Sequence, residues 1–110
     1  MAAIVVIAIA TARDTLRFDR YVFETLLGDL VGHDKAPASF IVYVHLWSLT
    51  HSEGLKSVRT SHQTIADETG LSKSGVQTAL RHLNARKLVR SVRESQTATP
   101  EHFVLRPWRR

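Results

Sequence analysis

Hydrophobic residues recur at every fourth position near the start of this chain, at Phe18, Val22, Leu26 and Leu30. This spacing predicts an amphipathic helix that is capped by Asp14 or Thr15, runs to about Val31 and stops at Gly32. The first ten residues are almost all apolar and rich in β-branched side chains, which favours a buried strand over the rival helix. That run is too short to cross a bilayer and has no basic flank of the kind that a secretory signal needs.

A second helix is predicted after a polar joint, residues 33–36, with Asp34 as its cap and Pro37 in its first turn. It should end between Thr50 and Ser52, and it is apolar on nearly every face, so we expect it to be the central core helix. Residues 56–59 then form a short run that suits an isolated strand.

Two shorter helices are predicted next, over residues 62–69 and 73–86, each preceded by a serine that can cap it. Ala66 is small where the two helices would cross closely, and Gly70 stands where the turn between them needs a positive φ. Val76 falls on the inner face of the helix predicted over residues 73–86. Two helices joined in this way by a tight, glycine-containing turn are typical of a helix-turn-helix.

Two strands are predicted at the C-terminal end, over residues 88–93 and 102–106, joined by a polar loop as a β-hairpin. The fold class predicted is therefore mainly α with a small β-hairpin. We divide the chain into an N-terminal extension, residues 1–35, and a second domain, residues 36–110.

The charge is distributed unevenly over the 110 residues, whose net charge is +5. Residues 1–55 carry four basic and six acidic side chains, a net charge of −2, whereas residues 56–110 carry eleven and four, a net charge of +7. This asymmetry predicts a half that binds a polyanion, of which nucleic acid is the commonest. The chain has no cysteine, so disulfides, thiolate metal sites and cysteine nucleophiles are excluded.

The predicted order of elements, and above all residues 62–89 (HQTIADETGLSKSGVQTALRHLNARKLV), resembles the winged helix-turn-helix domains of bacterial regulators and plasmid replication proteins. The resemblance covers residues 36–106. It implies a winged helix-turn-helix with an N-terminal extension, in which residues 73–86 are the recognition helix and the hairpin is the wing. Lys87 departs from the family pattern, because glycine often follows the recognition helix there.

A recognition helix of this kind would turn its polar face to the major groove, where Gln77 can pair with adenine and Arg81 with guanine. The starts of both short helices offer free N–H groups to phosphates, and the wing would follow the backbone or enter the minor groove. Thirteen residues are predicted to contact DNA: Thr60, Ser61, His62, Ser72, Lys73, Ser74, Gln77, Thr78, Arg81, Arg90, Arg93, Gln96 and Thr97.

The function predicted is sequence-specific binding of double-stranded DNA by a small transcriptional regulator. One alternative is a replication-initiation or partition module of a mobile element. Another is a winged helix that binds proteins and no DNA. Since one recognition helix reads only a few base pairs, we expect a homodimer that forms through residues 1–35.

Catalysis and cofactor binding are not expected. The six histidines have no compelling metal-ligand spacing, and the sequence contains neither a glycine-rich phosphate loop nor a nucleophile elbow. We therefore expect a cytoplasmic protein that is not an enzyme, with no metal, no cofactor and no membrane partner.

Overall fold

The computed structural model of the chain describes residues 14–109, and the apolar element predicted over residues 2–10 lies outside them. The described residues form an α+β domain in which helices pack together with a small antiparallel sheet. None of these helices has the length and apolar content needed to cross a bilayer. The helices are α1, made of two consecutive segments, Val22–Leu26 and Gly28–His33, then α2, Pro37–Leu49, α3, His62–Thr69, and α4, Lys73–Ala85. A short 3₁₀ turn, His51–Glu53, follows α2, and the strands are β1, Ser57–Arg59, β2, Val89–Val92, and β3, Glu101–Val104.

Helix α1 starts later than the sequence pattern predicts, because tertiary contacts hold the preceding segment in a non-helical path. The Arg17 N–H donates to Ser52 Oγ at 3.0 Å, and the Trp47 indole donates to the Arg17 carbonyl at 2.7 Å. Phe18 stacks on Trp47 with 5.8 Å between ring centroids. The predicted start at Asp14 or Thr15 is therefore wrong.

Helix α1 also winds more widely than an α-helix and continues past Gly32, the predicted stop. Hydrogen bonds at the ends of both segments join residues five apart, from Leu27 N–H to the Val22 carbonyl and from Asp34 N–H to the Asp29 carbonyl. These bonds are of π-helical type. The apolar repeat of four exceeds the 3.6 residues of an α-helical turn and is compatible with this winding. The repeat buries Val22, Leu26 and Leu30 against the core.

Helix α2 is the central core helix, as the sequence predicts. Pro37 occupies its first turn, where a missing N–H costs nothing, and α1, α3, α4 and the sheet all pack against it. Its buried residues are Ser39, Phe40, Val42, Tyr43, Leu46 and Trp47. Asp34 does not cap this helix: the N-cap is Ala36, and no side chain supplies a capping hydrogen bond.

The Asp34 carboxylate instead joins the end of α1 to α4. It lies 2.9 Å from His33 Nδ1, 2.9 Å from His82 Nε2 and 3.5 Å from Arg86 Nε. The hydrogen bond from His33 and the charges of Arg86 and His82 hold the pKa of Asp34 below its ordinary value, although partial desolvation opposes this. Asp29 adds an ion pair to Arg86 at 3.6 Å. Ionic contacts therefore fix α4 against the N-terminal part of the chain.

Helices α3 and α4 begin with the predicted serine caps. Ser61 Oγ accepts from the Thr64 N–H and Ser72 Oγ accepts from the Gly75 N–H, both at 3.0 Å. Gly70 ends α3 with φ +81°, the left-handed conformation that the turn was predicted to need. The buried face of α4 consists of Val76, Ala79, Leu80 and Leu83, so its opposite face is left to solvent.

The predicted hairpin is present, and β1 joins it. The strand order is β1–β3–β2, with both pairings antiparallel, so the expectation of an isolated first strand is wrong. Val58 lies opposite His102, and Arg90 lies opposite Phe103. Lys87 adopts φ +59°, so the chain makes the left-handed turn from α4 into β2 even though the residue there is not glycine.

Candidate nucleic-acid interface

A groove lies between α4, the start of α3 and the loop of residues 93–100 that joins β2 to β3. It consists of two adjoining concavities of about 480 Å³ and about 300 Å³, which share His62, Gln77, Arg93 and Pro100. The fold thus gathers residues that are up to 39 positions apart in the chain, from Ser61 to Pro100. Eight of the thirteen predicted contact residues line this groove: Ser61, His62, Lys73, Gln77, Arg81, Arg93, Gln96 and Thr97.

The groove is cationic. Lys73, Arg81 and Arg93 line it, and none of its described lining residues is an aspartate or a glutamate. Glu94 and Glu101 pair with Arg59, at 3.7 and 3.5 Å, and are not among the lining residues. A concave surface with cations and no carboxylate focuses a positive potential and attracts polyanions.

The wall formed by α4 carries groups that can read a base edge. Gln77 and Arg81 are exposed and stand one helical turn apart, on the side away from the buried seam. An amide and a guanidinium in this arrangement provide hydrogen-bond donors and one acceptor to a ligand. The wall is therefore suited to a polar, anionic partner with donor and acceptor groups of its own.

The opposite wall is a loop whose shape is fixed by its own hydrogen bonds. Arg93 Nη1 donates to the Gln96 carbonyl at 3.0 Å, and the Thr60 N–H donates to the Pro100 carbonyl at 3.2 Å. Pro100 is buried, whereas Gln96 and Thr97 are exposed at the loop tip. The loop thus presents one cation and two polar side chains beside α4.

A buried histidine connects the walls of the groove. His102 Nε2 donates to the Thr60 carbonyl at 3.2 Å, which leaves Nδ1 to accept from Ser91 Oγ at 2.8 Å. Asn84 donates to Ser91 Oγ at 3.1 Å and accepts from the Ser91 N–H at 3.0 Å. Burial lowers the pKa of His102; the hydrogen bond to Thr60 opposes this, and nearby positive charge adds to it. The network joins α4, the sheet and the segment before α3.

His62 lies where the two concavities meet. Burial lowers its pKa, and the charges of Arg93 and Lys73 lower it further. Its ring centroid is 6.3 Å from that of His102. Both cations therefore lie near enough to this imidazole to disfavour its charged form.

Five of the predicted contact residues lie outside the groove. Thr60 is buried, with only 7% of the residue exposed, so the structure does not favour the predicted contact from its side chain; its hydroxyl has no hydrogen-bond partner among the described residues. Arg90 lies on the sheet, where its guanidinium carbon is 4.2 Å from the Phe103 ring centroid. Ser72, Ser74 and Thr78 are exposed on α4 beside the groove.

Sequence reasoning missed several lining residues. Asn84 follows Gln77 by seven positions and Arg81 by three, so helical periodicity placed it on the same face and was a usable signal. The Asn84 amide, however, is engaged by Ser91 and by the Leu80 carbonyl, so it positions the groove wall. The remaining lining residues that were missed are Gln63, Leu80, Ser91, Val92, Ala98, Thr99 and Pro100.

Within residues 14–109, no group of three or more histidine and carboxylate side chains is arranged to hold a metal ion. No family model, curated protein or solved structure matches the chain.

Proposed function

We propose that this chain is a sequence-specific double-stranded DNA-binding protein of the winged helix-turn-helix type, acting in the cytoplasm as a small transcriptional regulator. The observation that carries the proposal is the groove beside α4, lined by Lys73, Arg81 and Arg93 with no carboxylate among its described lining residues. Duplex DNA is the polyanion whose shape fits an exposed polar helix flanked by a cationic loop.

In this proposal α4 is the recognition helix and enters the major groove, which admits one α-helix. Gln77 pairs with an adenine edge and Arg81 with a guanine edge, because an amide and a guanidinium match the donors and acceptors of those bases. Lys73 stands at the first residue of α4, where the helix dipole and free N–H groups favour a phosphate.

The β2–β3 loop is the wing. Arg93, Gln96 and Thr97 contact the DNA backbone or the adjacent minor groove, and these contacts set the orientation of α4. Regulation is then steric, since a protein seated on an operator blocks or recruits other proteins at that site.

The decisive experiment is selection of bound sequences from a random duplex pool at a stated salt concentration, followed by measurement of affinity against salt. Enrichment of a defined site and a steep fall in affinity as salt rises would support the proposal. Sites at promoters would support regulation, whereas iterated sites at a replication origin would favour a replication or partition role. No binding to any duplex at low salt would contradict it.

Gln77→Ala and Arg93→Ala are expected to affect DNA binding in different ways, the first on one sequence and the second on all sequences. Gln77→Ala removes a base contact and should cost about 1–3 kcal/mol on the selected site while leaving random DNA nearly unaffected. Arg93→Ala removes a phosphate contact and should weaken all sequences alike, lowering the salt slope by about one. Fluorescence anisotropy on the selected duplex and a scrambled one separates the two. If Gln77→Ala weakened binding to both duplexes equally, Gln77 would not be a residue that contacts a base edge.

We further propose that the protein binds DNA as a homodimer through its N-terminal part. One side of α1 is buried, but Phe23, Leu27 and Val31 form an exposed apolar stripe along it. An almost wholly apolar sequence, residues 2–10, precedes the described part of the chain and also needs a covering partner. A second copy of the chain supplies the same two apolar features, as a two-fold interface requires.

Light scattering at tens of micromolar is expected to give twice the 12.4 kDa chain mass. Leu27→Lys with Val31→Lys should convert the dimer to a monomer that remains folded, because both side chains are exposed. Leu55→Lys, at an exposed apolar residue beyond the stripe, is the matched control and should stay dimeric. A monomeric wild-type protein would contradict the dimer without affecting the assignment of the groove.

A further inference from the structure

His62 occupies a special position in the groove, because it lines both concavities and is the first residue of α3. The imidazole is half-buried and takes no part in the hydrogen bonds described for residues 14–109. Its ring nitrogens are therefore free to bond a ligand that enters the groove.

The charged groups that disfavour a proton on this imidazole come from two elements. Lys73 acts from the start of α4, and Arg93 acts from the loop after β2. His102 faces it from β3, where burial lowers the pKa of His102 although the hydrogen bond to Thr60 opposes this. Arg81 lines the larger concavity with it, and none of the described lining residues is a carboxylate that could balance these charges.

We propose that His62 makes DNA binding in this groove proton-linked: its imidazole is neutral in the free protein and takes up a proton when a DNA phosphate enters between Lys73 and Arg93. The inference rests on the proposed function and adds a regulatory property, dependence of affinity on pH. It requires no change of fold, since the partner that stabilises the added charge is the phosphate itself.

The physical reason is that a phosphate counteracts the two effects that disfavour the protonated imidazole, which are burial and the repulsion from nearby cations. Its negative charge offsets the repulsion from Lys73 and Arg93, and its oxygens accept a hydrogen bond from the protonated ring. The pKa of His62, lowered in the free protein by burial and by these two cations, must then rise on binding. The bound state holds more protons than the free state between the two pKa values, so affinity increases as pH falls through that interval.

The expected result is a wild-type affinity for random-sequence duplex about tenfold higher near pH 5.5 than near pH 8 at constant ionic strength, which corresponds to a pKa rise of about one unit. His62→Gln keeps a hydrogen-bond donor but cannot titrate. Relative to its own affinity near pH 8, this variant should gain far less on going to pH 5.5 than the wild type does. His33→Gln is the matched control, since His33 is exposed at the joint beside Asp34 and away from the groove, and it should keep the full increase.

Calorimetry of wild-type binding near pH 6.5, in two buffers of different ionisation enthalpy, gives the proton uptake directly. We expect a fraction of one proton in the wild type and a clear reduction in His62→Gln. Duplex binding without proton uptake, or a His62→Gln variant with the wild-type pH profile, would overturn this inference and leave the proposed function standing. Failure to bind duplex at every pH would overturn the proposed function, and this inference with it.

Discussion

Replacing Lys73 and Arg93 together with alanine is expected to weaken binding of duplex DNA about 60-fold at about 0.1 M salt. The two cations come from opposite walls of the groove, Lys73 from α4 and Arg93 from the β2–β3 loop. Each phosphate contact releases condensed counterions, so each is worth about eightfold in affinity at this salt concentration. The slope of log affinity against log salt should fall by about 1.8.

The matched control removes two cations that lie outside the groove. Arg20, exposed on the N-terminal side of α1, and Lys56, exposed before β1, are not among the groove residues. Arg20→Ala with Lys56→Ala changes the net charge equally and should leave affinity within about twofold and the salt slope nearly unchanged. If the control weakens binding as much as the groove variant does, net charge alone drives binding and the groove is not the interface.

Replacing Trp47 with alanine is expected to lower the free energy of unfolding by about 3–5 kcal/mol. This side chain is 1% exposed and stacks with rings from both ends of the described chain, Phe18 at 5.8 Å and Trp108 at 6.3 Å. Its indole also donates to the Arg17 carbonyl. The truncation leaves a large cavity and an orphaned carbonyl, and the loss is a large fraction of the total stability of a small domain. Urea denaturation followed by circular dichroism measures it.

Trp108→Ala is the comparison for that experiment, because Trp108 lies nearer the surface. It stacks on Tyr21 at 4.5 Å and donates to Asp19 at 3.1 Å, so its removal should cost less, about 2 kcal/mol. Neither tryptophan lines the groove, so both variants should bind DNA normally under conditions where they are folded. A Trp47→Ala variant as stable as the wild type would show that the N-terminal segment is not anchored by this residue.

Local patterns in the sequence were sufficient for α3 and α4. Their serine caps, the positive φ at Gly70 and the buried face of α4 depend on groups a few residues apart, and all of these predictions are confirmed. The hairpin strands are likewise confirmed to within two residues at each end. Periodicity alone also located two of the cations and the amide that face the groove from α4: Lys73, Gln77 and Arg81.

Distant contacts decided the features that the sequence did not reveal. Residues 14–19 have a helical sequence pattern, but the hydrogen bonds of the Arg17 backbone with Trp47 and Ser52 keep them from forming a helix. The carboxylate of Asp34 pairs with His82 and Arg86, so the helix cap predicted for it does not form. These groups are more than 25 positions apart in the chain, so no local propensity could anticipate their competition with helix formation or capping.

The sequence by itself determined the two short helices, the turn between them and the polar face of α4, because hydrogen bonds within a few residues and a single apolar stripe specify each of them. Only the tertiary structure decided that β1 completes the sheet, that Thr60 is buried, and that the 93–100 loop stands opposite α4. The groove exists because burial of a common core brings α4 and this loop side by side, and that packing sets the width and the charge of the groove.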